Sequence, residues 1–553
     1  MAYEWKNKVV LITGASGGIG ALIVRKLVEF ENVKNVTIFD VDDEGKNLEK
    51  ELNTKFGSNK VTFFKCDITK DDELNAGFKM ILDRFGYLDV LVNNAGIMND
   101  SYEAYKKMVE VNVTALYTCT LKALEVMRKD EGGRGGTIIN TASIVSLYQL
   151  SATPMYAGTK SAVLQFTLCL SLDEYYLRTG VRLIAICYGA TTTSLLLVQK
   201  LGSFDKRIHN NIQNVLLDGL YLQKPENAAT ALIDTYKNGQ NGSTWLSVND
   251  KPAKNITDQV TKAYKILSDT IAYKCRSYVK TTMVYEWKDK VVLITGASRG
   301  IGALIVRKLV EYEKVKNVTI FDVNEEGVAL EKELNSKFGN GKVIFFKCDI
   351  TKDDELDAGF KMIIDRFGYI DVILNNAGIL NDGYKTYKKM IEVNVTALCT
   401  CTLKGLELMR KDQGGRGGTI INTGSIASLI QHPLAPIYCS TKSAVLQFTL
   451  CLSLDDFYSR TGVRLMTICY GATDTAMMSA QNIEHFDKDI ESRKNELING
   501  LYVQKPENAA TGLIDAFKNG ENGSTWLSHN DKPVKNITEE VSKAYKILGE
   551  TTA

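Results

Sequence analysis

With 553 residues, 67 Lys plus Arg against 65 Asp plus Glu and a net charge of +2, the chain gives no electrostatic case for nucleic acid or an anionic membrane as its main partner. Apolar residues at 44% and charged residues at 24% are ordinary for a globular protein, and no stretch approaches the roughly 18 apolar residues of a membrane span. Eleven cysteines without a CxxC pair read as buried thiols in a reducing compartment rather than as disulfides or a metal site; with an opening apolar run too short for a signal peptide, the expected location is cytoplasmic.

In chain order the first element is also the first sign of a repeat. Tyr3-Glu4-Trp5-Lys6 recurs as Tyr285-Glu286-Trp287-Lys288, an offset of 282 that holds until a one-residue slip near residue 210. A period this long is a whole domain and not a solenoid unit. The expected organisation is a first domain over 1–272, a polar and basic linker over 273–283, and a second domain over 284–553.

Within the first copy the runs KVVLITG, NVTIFD, VTFFKCD, LDVLVNNAG, GTIINTAS and VRLIAICYG are short, bounded and rich in Val and Ile. They predict buried parallel strands. Helical stretches over Ile19–Glu29, Asp72–Phe85 and Tyr102–Arg128 lie between them. Strand–helix alternation gives an α/β fold, two doubly wound parallel-sheet domains of Rossmann type in tandem.

The turn Thr13-Gly14-Ala15-Ser16-Gly17-Gly18-Ile19-Gly20 follows the first strand and opens the first helix. Gly14, Gly18 and Gly20 let backbone approach a pyrophosphate, and the helix N-terminus around Ile19 offers it free N–H groups. Asp40 ends the second strand 20 residues after Gly20, the separation at which a carboxylate takes the adenosine ribose hydroxyls. It accepts from a 2′-hydroxyl and repels a 2′-phosphate, so NAD is expected. Gly296, Gly300, Ile301, Gly302 and Asp322 repeat the pattern, with Arg299 in place of Gly17 making the second copy less strict. Asp67, repeated as Asp349, ends the third strand where it can touch adenine.

Tyr156 and Lys160, and again Tyr438 and Lys442, stand four apart on one helix and share a face. A phenol titrates near 10 and needs about 4 kcal/mol of preferential anion stabilisation to reach neutrality. An ammonium one turn away and a positive nicotinamide are expected to supply it, leaving a tuned general base.

With TGASGGIG, NNAG at Asn93–Gly96, Asn112, Ser143 and YAGTK all repeated, the chain resembles the short-chain dehydrogenase/reductase family over both halves. Through GGRGGTIIN, YAGTKSAV and GVRLIAIC it looks most like insect-type alcohol dehydrogenases and 15-hydroxyprostaglandin dehydrogenase. The resemblance implies that Tyr156 and Tyr438 take the alcohol proton. It implies that Lys160 and Lys442 lower the phenol pKa and bind the nicotinamide ribose, and that Ser143 and Ser425 hydrogen-bond the substrate oxygen. Asn112 and Asn394 would hold a proton-relay water. It adds Asn94, Gly96 and Thr193, with Asn376, Gly378 and Thr475, to the cofactor residues. No metal is implied. Where the family has Pro-Gly after the sixth strand the chain has Tyr188-Gly189 and Tyr470-Gly471, which is expected to loosen that turn.

The halves differ where the family builds its substrate pocket: Ser151–Met155 against Pro433–Ile437, Ser194–Leu197 against Ala476–Ser479, Met98 against Leu380. Their apolar character implies a secondary or allylic apolar alcohol, terpenoid or fatty, as the small-molecule partner. The family pairs through two long helices, here Tyr102–Arg128 and Tyr156–Arg178. Fusion raises the effective concentration of the second copy, so an intramolecular pseudo-dimer is expected, with higher association possible. The expected function is NAD-dependent alcohol oxidation at a site in each half. The alternatives are an NADH-dependent carbonyl reductase and a non-catalytic binding or storage protein.

Overall fold

β-Branched side chains fit a pleated surface covered on both sides, and the Val- and Ile-rich runs of this chain form such strands. The computed structural model describes residues 2–217, 220–272 and 284–552; the expected linker, 273–283, lies outside the described residues. The chain divides into two compact units, Met1–Ala263 with Tyr545–Ala553, and Tyr264–Ala544.

In the first unit the strands are β1 (Val9–Thr13), β2 (Asn35–Asp40), β3 (Val61–Lys65), β4 (Val90–Asn93), β5 (Gly136–Ser143), β6 (Val181–Tyr188), β7 (Thr244–Ser247) and β8 (Lys254–Asn255). They form one sheet in the order β3-β2-β1-β4-β5-β6-β7-β8. Every pairing is parallel except β7 with β8. The second unit repeats this as β9 (Val291–Thr295) through β16 (Lys535–Asn536), in the order β11-β10-β9-β12-β13-β14-β15-β16. These are two doubly wound Rossmann-type sheets in tandem.

The strand order reverses between β1 and β4, and at such a switch point the carboxyl ends of the strands frame a crevice. Around β1 the core is fixed by burial. Val10, Ile12 and Ile186 pack against Ile23, Val24 and Leu27 of helix Gly18–Phe30 and against Leu232 of helix Pro225–Asn238. Each such side chain contributes about 1.5–3 kcal/mol on burial. Trp5, ahead of β1, is 1% exposed and lies 3.9 Å from the Tyr236 ring. The ten described cysteines are free and buried.

Two helices are shorter than the sequence pattern predicts. The stretch read as Tyr102–Arg128 is an α-helix over Tyr105–Val109, a wider π-helical stretch over Glu110–Ala115, and an α-helix over Leu116–Met127. The stretch read as Tyr156–Arg178 is helix Pro154–Leu170, a break at Ser171 and Leu172, and helix Asp173–Thr179. Among the described residues no helix is long and apolar enough to cross a membrane.

Candidate active site

The glycine turn sits at the end of β1, where backbone must pass backbone. Gly14 has φ +64°, and a Cβ there would lie 2.7 Å from the Ala95 Cα. A Cβ on Gly20 would meet the Gly14 carbonyl oxygen at 2.6 Å. The position of Gly17, by contrast, has nothing within 4 Å. Helix Gly18–Phe30 begins here with no side-chain cap and no acidic residue in its first turn. Its N-terminal amides and dipole are thus presented to an anion. Asn94 holds the turn from the other side, its Nδ2 donating to the Thr13 and Gly14 carbonyls at 3.1 and 2.8 Å. The Thr13 hydroxyl accepts from the Asn94 and Ala95 amides, a link that residue spacing does not announce.

Asp40 ends β2 beside this turn. Its carboxylate accepts from the Ser16 amide at 2.8 Å and the Asp42 amide at 3.1 Å, and Asp322 does the same with Ser298 and Asn324. A fixed carboxylate next to an anion-receptive turn suits a dinucleotide with a free 2′-hydroxyl. Asp67 lies two residues past β3. Burial pushes its carboxyl up, but the Thr69 hydroxyl and amide and the Lys107 ammonium outweigh this and leave it below the usual range. One carboxylate oxygen is therefore spent on the local turn at Thr69, 2.7 Å away. Asp349 has the same turn and lines the cleft of its unit.

Ser143 ends β5 opposite Tyr188 at the end of β6. Its hydroxyl donates to the Tyr188 carbonyl at 3.3 Å and lies near enough to the Tyr156 hydroxyl to pull its pKa down. Helix Pro154–Leu170 is buried nearly all round and brings Tyr156 and Lys160 to the same place. The Lys160 ammonium lies 5.7 Å from the Tyr156 ring centroid and donates to the Thr141 carbonyl at 2.9 Å. Asn112, in the π-helical stretch, accepts from the Ile97 amide and donates to the Ile97 carbonyl, both at 2.9 Å. A Cβ on Gly96 would lie 3.3 Å from its Oδ1 and 3.6 Å from the Lys160 Nζ. Thr193 crosses the mouth of the glycine turn, its Cγ2 3.7 Å from where a Gly18 Cβ would sit.

The second unit repeats each of these contacts: Ser425 with Tyr470 and Tyr438, Lys442 with Thr423 and the Tyr438 ring, Asn394 with Ile379. Gly296, Gly300, Ile301, Gly302, Asp322, Asp349, Asn376, Gly378, Thr475, Ser425, Tyr438 and Lys442 all line one cleft of about 920 Å³; Asn394 stands behind it. In the first unit Ile19, Asn94, Gly96, Ser143, Tyr156, Lys160 and Thr193 line a pocket of about 130 Å³.

Burial pushes the Tyr156 phenol up to about 12 against the downward pull of Ser143, and Tyr438 likewise against Ser425. The expected tuning counts on the positive nicotinamide of bound NAD⁺ as well as on the lysine, and these values describe the protein groups alone. Burial also pulls Lys160 and Lys442 down to about 8, which leaves both charged at pH 7. One expectation is corrected: the Tyr-Gly turn is not loose. Tyr188 is 6% exposed, the Gly189 amide donates to the Ser247 carbonyl at 2.8 Å, and Thr191 closes back on Gly189.

The apolar walls differ as the sequence indicated, with fewer residues taking part. Met98, Leu195 and Leu196 line the first pocket, and Leu380, Met477 and Met478 the second. Of the flanking segments only Thr153 reaches the first, and Leu434 and Ala435 the second. Tyr148, Leu150, Leu216 and Leu220 on one side, and Ile430 and His432 on the other, complete the walls; sequence reasoning did not single these out.

A family model described as short chain dehydrogenase matches residues 8–200 and 290–485. The chain is 34% identical over 229 residues to human 15-hydroxyprostaglandin dehydrogenase [NAD(+)], covering 41% of this chain and 85% of that protein. It is 31% identical over 242 residues to alcohol dehydrogenase 1 of Ceratitis cosyra, covering 43% of this chain and 91% of that protein. Among solved structures, the C-domain of a bacterial malonyl-CoA reductase with NADP superposes with a TM-score of 0.60 at 14% identity, over 89% of this chain and 94% of that one. At that identity the likeness concerns the fold.

Proposed function

This chain belongs to the short chain dehydrogenase family and is an oxidoreductase of it; from that premise we propose that each half oxidises an apolar secondary or allylic alcohol with NAD⁺. One observation carries the reading: in both units a phenol, a serine hydroxyl and a buried ammonium converge on a pocket with apolar walls, which Ile19 of the glycine turn lines in the first unit and the turn glycines Gly296, Gly300 and Gly302 line in the second. The names of the relatives, a prostaglandin dehydrogenase with NAD⁺ and an insect alcohol dehydrogenase, favour the same reaction class.

Asp40 and Asp322 would hold the adenosine ribose hydroxyls, and the amides at Gly18 and Gly300 the pyrophosphate. When bound, NAD⁺ would supply the hydride acceptor and a positive charge on its nicotinamide ring. Ser143 donates to the substrate oxygen, fixing the carbinol against Tyr156. The Tyr156 oxygen takes the hydroxyl proton as the C–H bond breaks, so the product is the carbonyl compound. Lys160 stays charged at pH 7, being pulled only to about 8, and so opposes the burial penalty on the phenolate. Met98, Leu195 and Leu196 exclude water and take the apolar body of the substrate.

The test uses Tyr156→Phe, Tyr438→Phe and the double variant. NADH formation is followed at 340 nm with NAD⁺ and 1-octen-3-ol, an apolar allylic secondary alcohol. Each single variant is expected to keep the other site's rate, and the double variant to lose about 10²–10⁴-fold. A double variant with wild-type turnover refutes the proposal.

A further inference from the structure

Helix Pro154–Leu170 begins with proline at its first position, and its N-cap, Thr153, provides no side-chain hydrogen bond. The second and third amides of a helix are the ones an N-cap side chain ordinarily satisfies. Here they belong to Met155 and to Tyr156 itself. Both are taken by a residue 55 positions upstream: the Asp100 carboxylate accepts from the Met155 amide at 2.6 Å and from the Tyr156 amide at 3.1 Å. Asp100 is 0% exposed. Burial pushes its carboxyl up to about 7 against the pull of these two amides. A buried carboxylate is costly unless it is hydrogen-bonded, so its placement at this helix start is specific.

The second unit does the same. Asp382, 1% exposed, accepts from the Ile437 amide at 2.7 Å and the Tyr438 amide at 3.1 Å. Its helix starts at Pro436 behind Ala435, which has no capping side chain at all.

The main chain of the same aspartate holds a second element. The Asp100 amide donates to the Gly202 carbonyl at 2.9 Å, and Asp100 bridges to Ser203. Asp382 bridges to His485 and accepts from the Phe486 amide at 3.1 Å. These partners lie on the segment after the sixth strand, which carries the apolar wall residues Leu195, Leu196 and Leu216. One residue thus fixes the start of the phenol-bearing helix with its side chain and the wall segment with its backbone.

We propose that Asp100 and Asp382 are positioning residues for proton transfer, each holding the phenol of its unit in register with the wall that seats the alcohol. This rests on the reading of Tyr156 and Tyr438 as the proton acceptors. Asparagine at either position keeps one acceptor oxygen but turns an N–H₂ group toward the other amide. Alanine removes both acceptors.

The test uses the full chain carrying Tyr438→Phe, so that only the first site turns over, with Asp100→Asn or Asp100→Ala added. Turnover of 1-octen-3-ol, the Kd for NAD⁺ and amide hydrogen exchange at residues 155 and 156 are measured. The expected result is a kcat at least about tenfold lower for Asp100→Ala, with Asp100→Asn between it and the parent. KM and the NAD⁺ Kd stay within about twofold, and exchange at both amides quickens. A kcat within about twofold of the parent overturns the inference. Parallel losses of kcat, NAD⁺ affinity and thermal midpoint also overturn it, by making Asp100 a general fold residue. If the Tyr438→Phe parent itself forms no NADH, the proton-acceptor reading has failed instead. Exchange at residues 155 and 156 then decides whether Asp100 seats the helix, and unchanged rates show that it does not.

Discussion

Replacing Lys160 by methionine in a chain already carrying Tyr438→Phe isolates the electrostatic part of the proposed base. The stem is nearly isosteric and the charge is gone. The ammonium lies 5.7 Å from the Tyr156 ring centroid. At an effective dielectric of about 20 a unit charge at that separation is worth about 3 kcal/mol to a phenolate, or about 2 pH units. The acid limb of kcat/KM against pH should therefore move up by about 2 units, and the rate at pH 7 should fall about 100-fold. The sign has a second consequence. Burial holds Lys160 at about 8, so the wild-type ammonium is present below that value and lost above it. The gap between the two proteins should then narrow above about pH 9. Initial rates of NADH formation from 1-octen-3-ol across pH 6–10 measure this, with NAD⁺ Kd values run beside them to separate any lost cofactor contact. An acid limb displaced by less than about half a unit, with NAD⁺ binding intact, would show that Lys160 does not tune the phenol.

Asp322→Asn removes a charge-assisted acceptor and should weaken NAD⁺ binding by about 1.5–3 kcal/mol. It should also improve NADP⁺ binding more than Asp40→Asn does, because Arg299 stands where the first half has Gly17; equal gains by titration would count against a role for Arg299. The Arg410 guanidinium, with Arg460, holds the Asp412 carboxyl down at about 2. Its folded value lies below its unfolded one, so its stabilisation is full above about pH 4 and is lost as the pH falls toward 2. Asp412→Asn should flatten the fall of the thermal midpoint over that window, and an unchanged slope would refute the assignment.

What the sequence made legible was local. The glycine turn, the Tyr-Lys spacing and strand–helix alternation depend on neighbours within a few residues, and each appears where the pattern indicates. What escaped depends on tertiary contact. EVNVTALYTC reads as uninterrupted helix, yet the backbone widens around Asn112, whose side chain clasps Ile97 across a gap of 15 residues. Asp100 carries no signature, because its two acceptors serve amides 55 and 56 residues away. The burial of Tyr156 and Lys160 escaped for a related reason: spacing places a lysine near a phenol but does not report that both groups are stripped of water. Asp67 was legible as a strand-end acid, but not as one with an oxygen already committed to Thr69.

The sealed cysteines make the chain its own recorder of opening. Burial pushes the Cys66, Cys187, Cys348 and Cys469 thiols up to about 12. Neither access nor thiolate is then available to an alkylating reagent while the folds stay shut. Each unit carries its own set, Cys66 and Cys187 in one and Cys348 and Cys469 in the other. Peptide-resolved labelling would therefore time the breathing of the two copies separately within one molecule, without any engineered probe.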